Sequence, residues 1–405
     1  MNLLFAWRYF KSKKSTNASN IIAWISMLAI MVSTAALIVV LSVFNGFESL
    51  VKNLYGDFYA DIKITPSSGK YITANSSLIK KISAVQGVKD ISFVAEEKAV
   101  LVNGDYQTIV FLKGVDEKYK RVSQVQSHLS AGKFNTGTAE IPEIICGAGI
   151  ANAVGADPTS PMSSLVLYLP NREAKNLTSM DAMHSFEISP SGVFAMQQEF
   201  DDKYAFTNLD FVKYMLSLGP DDYSSMEISV TDKNNAEDVQ EEVQHLLGKN
   251  FTVLTNYQQN QSLFTVMQIE KWVIYGILSL ILLVAAFNMI GALTMLVLEK
   301  EKDIAVLKAM GAANSRIQNI FLSEGFLLAG AGGLAGMLIA YGICRAQIDF
   351  KLIKLSGGTF IINYYPVKMV AGDFILTGIT VAVIALLASW VPAKKAATQF
   401  FSLKS

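Results

Sequence analysis

The sequence contains residues that could act in catalysis or bind a metal. Few of them stand at the spacing that these roles require. Adjacent carboxylates could act as a general acid and a general base, yet adjacency within a polar stretch is typical of a solvated surface. The adjacent pairs are Glu96-Glu97, Asp201-Asp202, Asp221-Asp222 and Glu241-Glu242. The histidines His128, His184 and His245 are far apart, and none has another ligand at metal-binding spacing. We therefore predict no catalytic residue and no metal site.

The sequence also lacks the motif that holds nucleotide phosphates. Each Gly-Lys pair that could end a G-x-x-x-x-G-K-[ST] loop is followed by another residue type, namely Tyr71, Phe134 or Asn250. The nucleophile elbow, H-E-x-x-H and C-x-x-C are missing as well. We predict that the chain is not an enzyme and binds no cofactor, so that any ATP and Mg would be bound by a partner.

The composition indicates a protein that lies partly in lipid and partly in water. Of its 405 residues 51% are hydrophobic and 17% are charged, and the mean hydropathy is +0.34. The formal net charge is zero, which argues against nucleic acid as a partner. Cys146 lies in the polar middle and Cys344 near the end of an apolar run, so we do not expect them to pair.

Four apolar runs are long enough to cross a bilayer core, which takes about 20 helical residues. The predicted transmembrane helices are residues 21–44, 271–298, 320–344 and 373–393. Two polar residues interrupt them. Asn288 is expected to hydrogen-bond a neighbouring helix. Glu324 is expected to form an ion pair with Arg316, which we favour over a transport role.

Basic residues predict how these helices are oriented. Lys and Arg are concentrated in the N-terminal tail, in the 299–319 segment and in the 394–405 tail, which places both termini in the cytoplasm. The short 345–372 loop, predicted outside, also carries basic residues and weakens this asymmetry. Apolar residues at helical spacing with cations between them predict an interfacial amphipathic helix in residues 1–20.

Residues 45–270 would then form an extracytoplasmic domain between helices 1 and 2, long enough to have its own core. Its first part has a β-α-β-β pattern, with Asn103-Gly104 as a hairpin signal. Residues 120–190 are rich in Ser, Pro, Asn and Gly and predict an inserted β-rich subdomain. The predicted fold class is an α-helical membrane protein with four transmembrane helices and a large mixed α/β (α+β) domain.

Two further patterns concern helix contacts. In the third span Gly332, Gly336 and Ala340 recur every four residues, which allows two helix backbones to approach closely in lipid. Between the second and third spans lies the charged segment 299–319. There Ile304, Leu307 and Lys308 share one helix face, and Gly311 is expected to cap the helix.

Such a short cytoplasmic helix suits docking into a groove of a partner, although a solvated hairpin between two spans would have the same pattern. If the second helix continued unbroken from Trp272 to Met310, it would be about 58 Å long. A rod of that length could transmit motion across the membrane.

The sequence EKEKDIAVLKAMGAANSRIQNIFLSEGFLLAGAGGLAG resembles the C-terminal region of FtsX-like ABC transporter permeases. The stretches FNGFESLVKN, EIICGAGIANAVGA, NYYPVKM and VPAKKAA resemble the LolC/LolE-type lipoprotein-releasing permeases, over nearly the whole chain. This resemblance implies a MacB-type periplasmic core domain, a location in the inner (cytoplasmic) membrane and a mechanotransmission mechanism, in which ATP-driven closure of the cytoplasmic subunits moves the outer domain.

The resemblance also implies partners and a role for the charged segment. The expected partners are a LolD-like cytoplasmic ATPase, a second permease copy or paralogue, a lipoprotein substrate, membrane lipid and a LolA-like periplasmic carrier. The segment would be the coupling helix that docks on the ATPase. Its expected coupling residues are Glu301, Asp303, Ile304, Leu307, Lys308, Met310 and Gly311.

Release of a lipid anchor into water would need an apolar cavity, because each exposed CH₂ costs about 0.8 kcal/mol. The candidates are Val40, Val43, Phe44, Phe47, Phe264, Met267 and Trp272, at the outer ends of the first two spans. Ordinary lipid contact or helix packing is the alternative for each of them. The alternative functions are a MacB-like efflux permease with a separate ATPase and an FtsX-like protein that activates a cell-wall hydrolase.

Overall fold

The computed structural model describes residues 17–160, 164–171, 183–355 and 362–398, with side chains from residue 21 onward. The predicted amphipathic helix of residues 1–20 therefore lies almost entirely outside the described residues. Contacts divide the chain into two units. Of the described residues, the helical unit contains 17–50, 265–355 and 364–398, and the α/β unit contains those between 51 and 264 together with 362–363.

Twelve α-helices occur in the described residues. In chain order they are α1 (Asn17–Phe58), α2 (Ser76–Ser83), α3 (Tyr119–Val122), α4 (Ala148–Val154), α5 (Gln198–Asp201), α6 (Leu209–Met215), α7 (Ala236–Leu247), α8 (Asn256–Gln259), α9 (Gln261–Glu299), α10 (Glu301–Ala309), α11 (Asn314–Phe350) and α12 (Ala371–Thr398). Helices α1, α9, α11 and α12 are long and apolar enough to cross a membrane, as the sequence predicts.

These four helices are longer than the apolar runs, because the polar residues that flank each run remain helical. Helix α1 has 42 residues and α9 has 39, which correspond to about 63 and 58 Å. The predicted continuous rod from Trp272 to Met310 is wrong, since the helix is interrupted at Lys300, whose φ and ψ are −92° and 14°. Helix α9 has the length expected for that rod, but it begins and ends 11 residues earlier in the chain.

The helical unit has an apolar core made by all four long helices. Its buried members include Ile30 of α1, Met289 of α9, Leu328 of α11 and Ala385 of α12. A smaller cluster joins the end of α9 and helix α10 to the start of α11 and the end of α12. Burial of these side chains between helices fixes the helices against one another.

The α/β unit contains all twelve strands of the described residues. They are β1 (Ile62–Pro66), β2 (Ile72–Thr73), β3 (Val88–Asn103), β4 (Tyr106–Val115), β5 (Leu129–Gly132), β6 (Glu143–Gly147), β7 (Leu165–Pro170), β8 (Met183–Phe194), β9 (Tyr204–Asn208), β10 (Asp222–Tyr223), β11 (Ser225–Val230) and β12 (Phe251–Thr255). Ten form one mixed sheet in the order β12-β1-β11-β3-β4-β9-β6-β8-β5, and β7 pairs with both β3 and β8. Because β7 pairs with both, a closed ring is formed by the six strands β3, β4, β9, β6, β8 and β7.

Two cores follow from this topology. One lies within the closed part of the sheet, with Leu101, Leu112 and Leu167 fully buried. The other packs β1, β11 and β12 against helices α2 and α7, around Ile64 and Val243. The β-α-β-β order and the hairpin are confirmed, with Asn103 paired to Tyr106 across the turn. The strands between residues 120 and 190 belong to the same ten-stranded sheet as β1, β3 and β4.

The last turns of α1 are part of the α/β unit. The Phe58 ring stacks on Phe200 with centroids 4.2 Å apart and an interplanar angle of 7°. Beside them Lys113 Nζ donates to Glu227 Oε1 at 2.9 Å, and this ammonium lies 5.7 Å from the Phe58 centroid. Burial is the largest single influence on Lys113 and lowers its pKa, but Glu227, Tyr119 and Glu96 together outweigh burial, so this pKa is raised. The pair is thus a buried ion pair within an aromatic cluster.

Candidate functional sites in the helical unit

The charged segment forms the short helix α10, and its residues divide into a buried and an exposed set. Ile304 is buried in the cluster that includes Phe321 of α11 and Ala393 of α12. Leu307 and Lys308 are half-buried. The predicted shared face of Ile304, Leu307 and Lys308 therefore packs at least partly on the protein itself.

The exposed set of α10 presents two apolar side chains to the surroundings. Val306 is 48% exposed and Met310 is 71% exposed. Lys302 and Asp303 are exposed beside them, and Glu301 is half-buried. An apolar pair next to charged groups is the kind of surface that a short helix offers to a groove.

Gly311 ends α10 in the way the sequence predicts. Its φ is +87°, in the left-handed region that glycine adopts without a steric penalty. The Gly311 N–H donates to the Lys308 carbonyl at 2.9 Å, and the Ala312 N–H donates to the Leu307 carbonyl at 3.0 Å. These two bonds are a Schellman motif, so the turn after α10 has a defined direction.

Neither of the two polar residues within the spans forms its predicted contact among the described residues. Glu324 is 1% exposed, and neither of its carboxylate oxygens has a hydrogen-bond partner among the described residues. Arg316 is exposed, so the predicted ion pair is wrong. Asn288 is exposed on α9 rather than buried against a neighbouring helix. Both expectations rested on position along one helix, which does not determine what the side chain meets across helices.

The residues predicted to line an apolar cavity have different environments. Phe264 is buried in the α/β unit, where its ring stacks on Tyr257 with centroids 4.9 Å apart. Phe47 packs edge-on against Tyr365 in the helical unit. Trp272 is exposed and contacts Tyr275. The remaining candidates are Val40, which is exposed, and Val43, Phe44 and Met267, which are half-buried.

The glycines of the third span lie against α1. A Cβ at Gly332 would be 2.7 Å from the Met27 carbonyl oxygen, and a Cβ at Gly336 would be 2.4 Å from that of Met31. Ala340, one turn further along, is fully buried. Backbones this close leave no room for a side chain.

Replacing Gly336 by alanine should destabilise the helical unit by about 1 to 3 kcal/mol, because the new methyl group forces α1 and α11 apart. Gly342→Ala, on the same helix, is the matched control, since no heavy atom lies within 4 Å of its Cβ position. Both substitutions gain the same helix propensity. Thermal unfolding of the purified chain in detergent measures the difference, and equal melting temperatures would contradict close packing at Gly336.

A polar cluster that the sequence does not reveal joins three of the long helices near one end of the unit. Asn45 Nδ2 of α1 donates to Asp373 Oδ2 of α12 at 2.5 Å. Lys271 Nζ of α9 donates to Asn45 Oδ1 at 2.8 Å and lies 3.5 Å from Asp373 Oδ1. Each side chain thus contacts the other two. We call these three residues the polar clamp.

No group of three or more His, Cys, Asp or Glu is placed to hold a metal ion in the part of the chain that the structure describes. What the helical unit offers instead is a short helix with an exposed apolar pair, long helices and a polar clamp. A short helix with exposed apolar side chains is suited to docking in a groove of another protein.

Known proteins resemble this chain along nearly its whole length. The model of the MacB-like periplasmic core domain matches residues 23–246, and that of the FtsX-like permease C-terminal region matches residues 275–399. The lipoprotein-releasing system transmembrane protein LolC of Neisseria meningitidis is 24% identical, and LolE of Haemophilus influenzae is 25% identical. Each similarity covers 97% of this chain and 96% of the relative.

A solved structure, the periplasmic region of MacB from Actinobacillus actinomycetemcomitans, covers 53% of this chain and 97% of its own. Its sequence identity to this chain is 13%, and the TM-score is 0.35.

Proposed function

This chain belongs to the FtsX-like permeases that carry a MacB-like periplasmic core domain, and we propose that it is the transmembrane subunit of an ABC transporter that releases lipoproteins. The supporting observation is the extent of the similarity. Relatives named for lipoprotein release align along 97% of this chain and 96% of their own length. The similarity therefore includes the membrane helices and the periplasmic domain together.

In this proposal the chain lies in the inner membrane with both termini in the cytoplasm. Its periplasmic domain is inserted between the first and second transmembrane helices. Two permease subunits, either two copies or this chain and a paralogue, would form the membrane part together with lipid. A LolD-like ATPase would bind ATP and Mg on the cytoplasmic side, and a LolA-like carrier would receive the lipoprotein in the periplasm.

Helix α10 would bind the ATPase through its exposed surface. Val306 and Met310 supply apolar area there, and Lys302 and Asp303 supply charges that can select a partner of complementary charge. The buried Ile304 fixes α10 to α11 and α12, so a force on α10 would be passed to the membrane helices. A helix that was only a solvated hairpin would need no such internal anchor.

Helices α1 and α9 would carry the motion outward. At about 63 and 58 Å they are roughly twice as long as the 30 Å hydrocarbon core, and both continue into residues of the α/β unit. Apolar side chains at their outer halves, among them Val40, Phe44 and Trp272, would shield the acyl chains of the lipoprotein. Such shielding lowers the cost of lifting the lipid anchor out of the bilayer.

The test is ATP-dependent release from proteoliposomes. The chain is purified with its ATPase and any second permease and reconstituted with an acylated lipoprotein, and the lipoprotein that a soluble carrier removes is measured. We expect release that requires both ATP and this chain. ATP hydrolysis without any release would contradict the proposal. In that case, a cell-wall hydrolase or an adaptor of an outer-membrane channel recovered with the periplasmic domain would favour one of the alternative functions.

A further inference from the structure

Two members of the polar clamp are buried although they are polar or charged, and the third, Lys271, is half-buried. Asn45 is 4% exposed and Asp373 is 6% exposed. A carboxylate in such a place is stable only when its oxygens have partners, and here Asn45 and Lys271 are those partners. The amide of Asn45 suits its central position, because it accepts from the ammonium while it donates to the carboxylate.

The clamp lies where apolar packing does not hold α9. Between Phe264 and Leu282 no residue of α9 is buried, and Ile269, Trp272 and Ile277 are more than half exposed. The apolar core of the helical unit takes its α9 members from residue 282 onward. In the outer half of α9, specific contacts to other helices are therefore mainly polar, through Lys271 and through the hydrogen bond of Tyr275 with Thr380 of α12.

The loop before α12 extends the clamp to the other helices. The Lys368 N–H donates to the Ser42 carbonyl of α1 at 2.9 Å, and Gly46 lies so close to Pro366 that a Cβ would be 2.2 Å from its carbonyl oxygen. Gln347 of α11 donates to the Tyr365 carbonyl at 3.1 Å. Helices α1, α11 and α12 are thus joined to one loop, and helices α1 and α9 are joined to the buried carboxylate of α12.

We propose that Asp373 is a positioning residue that sets the spacing between the outer halves of α1 and α9, by holding Asn45 and Lys271 at the same time. The inference rests on the proposed function in one respect. It assumes that motion driven by ATP is transmitted through the spacing between α1 and α9. Both helices include residues of the α/β unit. A change in the spacing between α1 and α9 would therefore be transmitted along these helices to the periplasmic domain. Loss of the clamp should uncouple ATP hydrolysis from release.

The experiment compares variants in the full complex purified in detergent. Asp373→Asn keeps the shape of the side chain and removes its charge, and Lys271→Gln removes the other charge. The double variant Lys271→Asp with Asp373→Lys exchanges the charges, and Asn45 can still bond both groups because its amide donates and accepts. Asp349→Asn is the matched control, since this acid pairs with Arg345 of its own helix and is well exposed.

Amide hydrogen exchange is the first measurement. Asp373→Asn and Lys271→Gln should each raise exchange in residues 364–373 and at the outer end of α9 by about tenfold or more, because one partner of a buried pair is lost. The charge exchange should restore most of the protection, and Asp349→Asn should leave it unchanged. Unchanged exchange in Asp373→Asn, or a double variant as unprotected as the single ones, would overturn the proposal.

The second measurement is the amount of lipoprotein released per ATP hydrolysed, in proteoliposomes. We expect this ratio to fall about tenfold in Asp373→Asn while the ATPase stays bound, and to recover with the charge exchange. A purely structural role would lower hydrolysis and release together, which would also overturn the proposal. If exchange behaves as expected but the native chain releases no lipoprotein, the clamp stands and the proposed function fails.

Discussion

Replacement of Val306 and Met310 by aspartate should remove the ATPase subunit from the purified complex. The two side chains are the exposed apolar surface of α10, and a desolvated carboxylate in an apolar groove of the partner would cost more than the contact contributes. We expect the amount of co-purified ATPase to fall by more than about tenfold. Mass spectrometry of the complex, isolated through a tag on this chain, measures the loss.

Two controls separate lost binding from lost folding. Ile141→Asp places the same charge on a residue of the α/β unit that is 74% exposed, and it should leave the ATPase bound. Ile304→Asp should instead lower the melting temperature, because Ile304 is part of the protein's own core. Leu307 is half-buried and is therefore the poorer choice for a binding test. Retention of the ATPase by the Val306→Asp, Met310→Asp variant would exclude α10 as the coupling helix.

Lys113→Met should destabilise the α/β unit by about 3 to 5 kcal/mol, because it leaves the carboxylate of Glu227 buried without its cation. The double variant Lys113→Met with Glu227→Met should recover most of that loss, since apolar residues of similar volume can replace a buried pair. Lys203→Met is the control, because Lys203 forms only an exposed pair with Glu199.

The buried thiol of Cys146 gives a readout specific to the α/β unit. Burial raises the pKa of Cys146 to about 12, so at neutral pH this thiol reacts with a maleimide only when the unit unfolds. In a Cys344→Ala background, the temperature at which Cys146 becomes reactive reports the stability of this unit within the whole chain. A double variant as unstable as Lys113→Met would show that the ion pair itself, rather than the unpaired charge, matters.

The sequence predicts the parts of this fold that depend on local pattern. The four long helices follow from runs of apolar residues, and Gly311 ends α10 because only glycine adopts its φ of +87° without a steric penalty. The interruption at Lys300 is not predictable in this way, since neither glycine nor proline marks it. Helix propensity alone would continue the helix through that position.

Contacts between distant residues account for most of what the sequence does not reveal. Asn45 is 328 residues from Asp373 and 226 from Lys271, so no spacing rule connects the members of the polar clamp. Asn45 could be recognised only as part of a stretch that resembles known permeases. Glu324 illustrates the reverse case, because a partner two turns away on its own helix is plausible from the sequence, yet neither carboxylate oxygen has a hydrogen-bond partner among the described residues.

The aromatic cluster around Phe58 also determines where a soluble fragment of the α/β unit can begin. A fragment that starts at β1 would lack Tyr55 and Phe58, and the ring of Phe200 would lose the face on which Phe58 stacks. The exposed slot would be lined by aromatic rings, and exposed apolar surface favours aggregation. Expression of the isolated unit therefore has to include the last two turns of α1, although these turns continue a helix that is long and apolar enough to cross a membrane.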